Sequence, residues 1–339
     1  MRLERRALSA RLERRSLIAG LAALPLARPA FAQGAWPVRP VRLIIPFPPA
    51  GTTDITARLF AERVSSRIGQ PVVAENRAGA TGNIGAEAVA RAEPDGYTFL
   101  TCTISTAAIN YSLWGARMPV KPEDLAAVGL LIRVPNVIFV PASSPHRTVA
   151  DLVAAAKAQR GRLTYGSSGS GGSPHMTMEM FKLRTETDIT HVPFRGAGPM
   201  LVESIAGRLD AGCDNMPSCI GHIRDGRLRA LAVTSDVRAS ALRDVPTLAE
   251  AGVRDFEATA WFGIQAPSRT PRPIIERMGA EIDAIVRDPA YIARIAELGG
   301  SPPNLTPQGG SSPAAFEAYI RAEIAKWSEV VRVSGATVD

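Results

Sequence analysis

The segment from residue 165 to 176 restricts the possible folds of this chain more than any other. A strand end, a loop of glycines and serines and a helix start follow one another there without a linker. Glycines allow backbone angles that turn several N–H groups toward one point. Ser173 suits the N-cap of the helix, and Pro174 suits its first position. The segment therefore predicts a cradle of amides at a positive helix end, which is an arrangement that binds phosphate or carboxylate.

A loop of this composition can also be a plain turn or a flexible connector. No enzyme motif fits it. The pattern Gly-x-Ser-x-Gly fails in every register, because Ser168 lacks the second glycine and Ser170 lacks the first. The spacing of a dinucleotide-binding glycine motif and the Gly-Lys-Ser/Thr of a phosphate loop are absent as well. Binding by backbone groups is thus favoured over catalysis.

A second loop of the same design precedes the first in the chain. The apolar run 41–47 predicts a strand, residues 48–54 form a short loop, and apolar residues then recur at helical spacing. Thr52, Thr53 and Asp54 are all suitable helix caps. Two strand–loop–helix units of this kind make an anion site more credible than one.

Strands and helices alternate through most of the sequence, which is typical of α/β folds with parallel strands and helices on both faces. Ligands of such folds bind beyond the carboxyl ends of the strands. We predict strands at residues 41–47, 72–76, 98–103, 137–140, 163–165, 189–194, 209–213, 228–234 and 260–266, and C-terminal helices at 273–287, 290–298 and 314–333. Residues 33–138 and 262–339 are predicted to form one domain, and residues 139–261 a second domain inserted into it.

Residues 1–32 have the composition of an export signal, with an arginine-rich start, a short apolar run and small residues before an expected cleavage near Ala32. Arg14 and Arg15 resemble a twin-arginine signal. This segment holds seven arginines and two glutamates, so it accounts for +5 of the formal net charge of +7. The mature chain is therefore nearly neutral, and we expect a periplasmic protein that binds no nucleic acid.

Cysteine and histidine positions give no sign of a metal site or a disulfide framework. Cys102, Cys213 and Cys219 lack metal-ligand spacing, and the four histidines are isolated from one another. Buried small hydrophobes are the ordinary role of such cysteines. We expect no metal and no cofactor.

Six segments, in this order, resemble the Bug family, the TctC-like substrate-binding components of tripartite tricarboxylate transporters. They are residues 47–54, 166–175, 192–196, 230–235 with Arg238, 245–252 and 266–267. The resemblance implies a type II periplasmic binding protein fold, in which two α/β lobes joined by hinge strands enclose a ligand cleft. It also implies a small carboxylate ligand, membrane transporter subunits as partners and no enzymatic activity. The sequence leaves the oligomeric state open, and a monomer is the default expectation.

The resemblance places ligand-binding residues in both loops. They are Gly51, Thr52, Thr53 and Asp54 in the first, and Ser167, Ser168, Ser170, Gly171, Gly172, Ser173 and His175 in and after the second. The chain departs from the family pattern at Ala50, where glycine is usual, and at Phe194 and Arg195, where Tyr-Lys is usual. These departures affect the path of the first loop and the far end of the pocket.

Specificity is expected from residues near the ends of other strands, namely Asn83, Ser105, Arg195, Gly196, Asp214, Asn215 and Trp261. Several assignments stay open. Arg195 either pairs with a second ligand carboxylate or lies on the surface, His175 either contacts ligand or packs within its helix, and Trp261 either stacks on ligand or packs in the core. The rival functions are a sensor subunit that binds the same ligand, and an exported hydrolase with a serine nucleophile and His175 as its base.

Overall fold

The computed structural model of the protein describes residues 36–338, so the predicted export signal lies outside the described residues. From Arg39 onward the chain forms one compact unit. Its strands are β1 (Val41–Ile45), β2 (Val72–Asn76), β3 (Thr98–Thr103), β4 (Leu125–Pro141), β5 (Thr164–Ser167), β6 (Thr190–Pro193), β7 (Ala211–Asn215), β8 (Leu228–Val233) and β9 (Thr259–Pro267). Its α-helices are α1 (Thr52–Ile68), α2 (Asn83–Ala90), α3 (Asn110–Trp114), α4 (Val149–Ala158), α5 (Ser173–Thr185), α6 (Ala197–Ile205), α7 (Met216–Arg224), α8 (Arg272–Val286), α9 (Pro289–Glu297) and α10 (Pro313–Ser334).

Strand pairing divides the molecule into two lobes. In the first lobe β1 is parallel to β2 and β3, and β9 runs antiparallel between β3 and β4. In the second lobe β5 is parallel to β6 and β7, and β4 is antiparallel to β7 and β8. The carboxyl ends of the parallel strands of both lobes, where loops and helix starts follow, border the same cleft.

Strand β4 belongs to both lobes. Its residues up to Pro135 pair with β9, and its residues from Asn136 onward pair with β7 and β8. Pro135, which has no N–H to donate to a strand ladder, is the last residue of β4 that pairs with β9, directly before the change of partners. The sequence predicted only residues 137–140 as a strand, because Gly129, Arg133 and Pro135 break the apolar pattern of the first part.

The three C-terminal helices lie where their apolar spacing predicts, within a residue or two of the predicted bounds. The core of the first lobe is closed by α10 through Trp327, which is 1% exposed, and by Phe316. The indole N–H groups of Trp261 on β9 and of Trp327 both donate to the buried carboxylate of Glu323, at 2.9 and 3.1 Å. This shared acceptor holds the helix against the sheet.

Gly263 in β9 allows α10 to approach the sheet closely. A Cβ added there would lie 2.4 Å from Cζ of Phe316 and 2.8 Å from the carbonyl oxygen of Gly129. We expect Gly263→Ala to lower the free energy of unfolding by about 1 to 3 kcal/mol, because overpacking displaces both neighbours. Urea unfolding measures this. Gly221→Ala in α7, where a Cβ meets nothing within 4 Å, is the control, and equal losses in the two variants would contradict the packing argument.

Candidate functional site

Three of the helices that begin at one cleft directly follow a glycine, and α7, whose N-cap is Asn215, begins there as well. Helix α1 follows Gly51 on the first lobe, and α5 and α6 follow Gly172 and Gly196 on the second. None of these N-caps supplies a side-chain hydrogen bond to its helix. The first amides of a helix have no partner within it, and they carry the positive end of its dipole. The cleft is therefore suited to a negatively charged group.

The cleft encloses about 470 Å³, including the space at its mouth. Many of the residues predicted from the sequence line it: Gly51, Thr52, Thr53, Ser105, Ser168, Gly172, Ser173, Gly196, Asp214 and Asn215. Both lobes contribute to this set, so the two predicted loops do face each other. Hydroxyls and amides dominate the set, which suits hydrogen bonding to ligand oxygens.

Other lining residues were not singled out from the sequence: Phe47, Pro48, Thr103, Ile104, Pro174, Ala197 and Phe262. Three of them, Phe47, Pro48 and Pro174, lie inside the segments that carry the family resemblance. Phe262 lines the cleft because side chains alternate along β9. Its neighbour Trp261 therefore faces the opposite side of the strand. The rings of Phe47 and Phe262 thus form an apolar part of the wall in a cleft that is otherwise mostly polar.

Helix α5 begins one residue earlier than predicted, and the prediction that Ser173 is its N-cap is wrong. Gly172 is the N-cap, and Ser173 is already helical. The hydroxyl of Ser173 accepts a hydrogen bond from the Asn215 side-chain amide at 3.1 Å, and that amide also donates to Oδ1 of Asn136. Ser173 therefore joins α5 to β7 and β4 while it lines the cleft.

Asp54 holds the first loop from behind and does not line the cleft. Its carboxylate accepts hydrogen bonds from the Ala50 N–H at 3.1 Å, from Arg58 and from Asn76. Burial opposes ionisation of Asp54, but the hydrogen bonds from Arg58, Asn76 and Ala50 outweigh it and keep the pKa of this carboxyl below its usual value. Because Ala50 has a positive φ of 67°, the bond to its N–H secures a strained turn.

A stack of three rings supports the glycine/serine loop; Tyr165 and His175 are buried in it, and His191 is half-buried. The rings of His175 and His191 stack at 4.1 Å, and Tyr165 stacks on the other side of His191 at 4.8 Å. Nδ1 of His175 accepts the N–H of Gly171 at 3.0 Å, and the Ser167 hydroxyl lies 2.7 Å from Nε2 of His191. Burial lowers the pKa of His191 to about 3, so the ring is neutral. His175, Ser167 and Gly171 therefore shape the loop and do not line the cleft.

Asn83 and Trp261 were predicted near the ligand, and the structure places both in packing roles. Oδ1 of Asn83 accepts from the side-chain amide of Asn110 at 2.7 Å within the first lobe. Trp261 is fully buried, and Phe316 and Tyr319 meet its ring edge to face. Its indole N–H is used by Glu323. The side chain of Trp261 therefore belongs to the core and not to the site.

Ser170 and Arg195 lie beside the cleft and not in its lining. The Ser170 carbonyl accepts a hydrogen bond from the Thr81 hydroxyl at 2.7 Å, which joins the second lobe to the first. Arg195 is exposed and directly precedes Gly196. Its side chain therefore lies at the surface next to one of the three helix starts.

The two lobes are in contact across the cleft. Besides the Thr81–Ser170 bond, the hydroxyl of Thr52 donates to that of Ser218 at 3.3 Å. Gly196, with a φ of 107°, lies against Pro48, so a Cβ there would be 3.1 Å from Cγ of that proline. The arrangement is thus a closed one, with walls that meet at small residues.

Among the cleft-lining residues in the described range 36–338, Asp214 is the one with an acidic side chain. It is 2% exposed, and its carboxylate accepts the N–H of Asn215 at 2.9 Å and contacts the Ser218 hydroxyl. Burial raises the pKa of Asp214 to about 7, although the bonds from Ser218 and Asn215 oppose the shift. A carboxyl in this environment titrates near neutral pH.

Within residues 36–338, no set of histidine, cysteine, aspartate or glutamate side chains is arranged to hold a metal ion. The three cysteines are buried as free thiols. No helix in the described part of the chain combines the length and hydropathy that crossing a membrane requires.

Two α/β lobes that share crossing strands and close on a cleft of helix N-termini define a type II periplasmic binding protein, a class of solute receptors. A family model described as "Tripartite tricarboxylate transporter family receptor" matches residues 56–335. The chain belongs to this family, as its motifs predicted. It is therefore a solute-binding protein and not an enzyme.

Individual relatives agree with this assignment. Protein BugT of Bordetella pertussis is 37% identical over 303 residues, which cover 89% of this chain and 91% of BugT. The structure of R. palustris Rpa4515 with adipate is 38% identical, has a TM-score of 0.85 and covers 89% of this chain and 99% of that one. MatC from Rhodopseudomonas palustris with bound malate is 29% identical and has a TM-score of 0.81. The match covers 87% of this chain and 100% of MatC.

Gly196 has no Cβ, and this allows it to lie against Pro48 where the two lobes meet. Gly196→Ala strains a backbone conformation that only glycine adopts readily, with φ 107° and ψ 172°, by roughly 1 to 3 kcal/mol, and it pushes Pro48 away. We expect the amides around both residues to exchange hydrogen about tenfold faster, since 1.4 kcal/mol corresponds to a factor of ten. Mass spectrometry of peptides covering residues 48–53 and 194–198 checks this. In Gly198→Ala, where a Cβ meets nothing within 4 Å, exchange should match wild type, and equal acceleration in both variants would contradict the argument.

Proposed function

We propose that this chain is a periplasmic receptor that binds a small dicarboxylate between its lobes and delivers it to a tripartite tricarboxylate transporter. One observation carries the proposal: three glycine-capped helix starts, from both lobes, meet at one cleft. A helix end stabilises an anion by about 0.3 to 1 kcal/mol, and a hydrogen bond to a charged group adds about 1.5 to 3. A few such contacts reach the −8 kcal/mol, roughly, of micromolar binding.

The choice of a dicarboxylate rests on the cleft and on two relatives. Rpa4515 was solved with adipate and MatC with malate, and each of these ligands has two carboxyl groups. In this chain the helix starts would hold one carboxylate, and Phe47 and Phe262 would contact the carbon chain. Arg195 stands next to Gly196 at the edge of the cleft and would meet the second carboxylate when its side chain turns inward.

We also propose for this chain the export, the oligomeric state and the domain division that its sequence predicts. The mature chain would begin at Gln33 after cleavage of an export signal, act as a monomer and have lobes of residues 33–138 with 262–339 and of 139–261. The change of strand partners at Asn136 and the return of the chain at Thr259 support a division of this kind. The family description supports membrane transporter subunits as partners.

Titration calorimetry of residues 33–339 with adipate, malate and hexanoate tests the ligand class. We expect at least one of the two diacids to bind with micromolar affinity, and hexanoate, which has the length of adipate and one carboxylate, to bind more weakly. Arg195→Ala should weaken diacid binding about tenfold or more, the value of a hydrogen bond to a charged group, and leave hexanoate binding unchanged. Arg208→Ala, which removes an exposed arginine paired with Glu203, is the control.

The proposal fails if neither diacid binds, or if a neutral amide of the same length binds equally well. If the diacids bind and Arg195→Ala affects hexanoate to the same extent, the assignment of Arg195 to the second carboxylate is wrong while the helix-end site stands.

Uptake by whole cells tests delivery to a transporter. We expect deletion of this chain to abolish uptake of the labelled diacid and re-expression of the full-length chain to restore it, because a transporter of this class depends on its receptor. Unchanged uptake, combined with loss of a transcriptional response to the diacid, would instead favour a sensor subunit.

A further inference from the structure

The cleft that is built to receive an anion also contains a carboxyl group of its own. Asp214 lines the same space as the three helix starts and is 2% exposed. The salt bridges among residues 36–338 do not include Asp214. Two carboxylates in one cleft repel each other, and the repulsion is stronger where burial reduces the screening of their charges. A carboxylate ligand and an ionised Asp214 are therefore poorly compatible.

The hydrogen bonds around Ser218 point to the state of Asp214. The Ser218 Oγ lies 2.5 Å from Oδ2 of Asp214, 2.8 Å from the carbonyl oxygen of Asn215 and 3.3 Å from the hydroxyl of Thr52. A hydroxyl has one proton to donate and two lone pairs that accept. The carbonyl of Asn215 can only accept, so the Ser218 proton satisfies it when the other two groups donate. With Asp214 ionised, the Ser218 hydroxyl donates to the carboxylate and has no second proton for the carbonyl of Asn215. With Asp214 protonated, the acid donates to Ser218 and all three contacts are satisfied together.

Among residues 36–338 no lysine or arginine forms an ion pair with Asp214. The positive potential around it comes only from helix starts, including that of α7 directly after it, and these are the same groups that a ligand anion would occupy. The thiols of Cys213 and Cys219 next to it are buried, and burial raises their pKa values well above normal, so they stay neutral. Titratable groups on α5, which packs against β7, and on α1, which packs against α7, are engaged elsewhere. Asp54 pairs with Arg58, His175 accepts the Gly171 N–H, and Glu179 contacts Tyr165 and Lys182. When an anion is bound, protonation of Asp214 is the remaining way to lower the net negative charge in the cleft.

We infer that Asp214 stands in the cleft as the neutral acid when an anion is bound, so that a carboxylate ligand and a proton enter the closed receptor together. This inference rests on the proposed function and specifies its ligand class. A neutral Asp214 offers no fixed negative charge for an ammonium group, so the cleft favours a dicarboxylate over an amino acid of the same length. The Thr52–Ser218 bond links the same proton to the contact between the lobes.

Binding then depends on pH in a defined direction. Below the pKa of about 7 that burial gives Asp214 in the free protein, the acid is already protonated and affinity is constant. Above it, each bound ligand must bring one proton, so the affinity falls by up to tenfold for each pH unit.

Calorimetry with the diacid that binds, adipate or malate, at about pH 6 to 9 tests this. Wild type should lose about tenfold in affinity per pH unit at the alkaline end, and paired buffers of different ionisation heat should report close to one proton taken up per ligand. Asp214→Asn should remove the pH dependence. The matched control is Asp210→Asn, which changes an exposed aspartate just before the same strand and should keep the wild-type slope.

Three results overturn the inference. A flat affinity in wild type with no proton uptake would do so while leaving diacid binding intact. Tighter binding of aspartate or glutamate than of the diacids would also do so. Carbon NMR of the aspartate carboxyl groups in ligand-free wild type is independent of any ligand and decides the case even if none of the acids binds. One resonance should titrate near pH 7 and be missing in Asp214→Asn, and titration of all resonances in the ordinary acidic range would contradict the neutral acid.

Discussion

The cleft depends on backbone N–H groups that the helices cannot satisfy themselves. A helix leaves its first amides without internal partners, and here three helices do so at one place, after Gly51, Gly172 and Gly196. Unsatisfied donors away from water are costly, so such a site calls for an acceptor with spare capacity. An anionic oxygen provides it. The lobes, the loops and the ring stack beneath them can all be understood as the means of bringing these helix starts together.

The strand–loop–helix pattern of the sequence was sufficient to predict the two loops that line the cleft. Residues 51–54 and 166–175 form local units whose conformation depends on nearby glycines, prolines and cap residues, and they lie where that pattern places them. The alternation of strands and helices likewise gives the α/β class. Such features need no knowledge of distant parts of the chain, which is why sequence reasoning finds them.

What sequence reasoning missed depends on contacts between distant residues. Contacts with α10 determine that Trp261 faces the core and Phe262 faces the cleft. The sequence of residues 259–267 alone does not distinguish the two faces. The contact of Ser167 with His191 joins positions on two neighbouring strands. Strand β4 was underestimated because its irregular first part is stabilised by pairing with β9, more than a hundred residues later. The sequence also could not show that Asp214 is buried, and burial is what raises its pKa.

The way β4 serves both lobes has a consequence for how the molecule comes apart. Its first part has its hydrogen-bonding partner in β9 and its second part in β7 and β8, so melting of either lobe would free one half of a continuous strand. An exposed half-strand is an unpaired edge that invites association with other chains. Denaturation should therefore be a single cooperative transition for both lobes. Neither lobe should be stable as an excised fragment, however compact it looks in isolation.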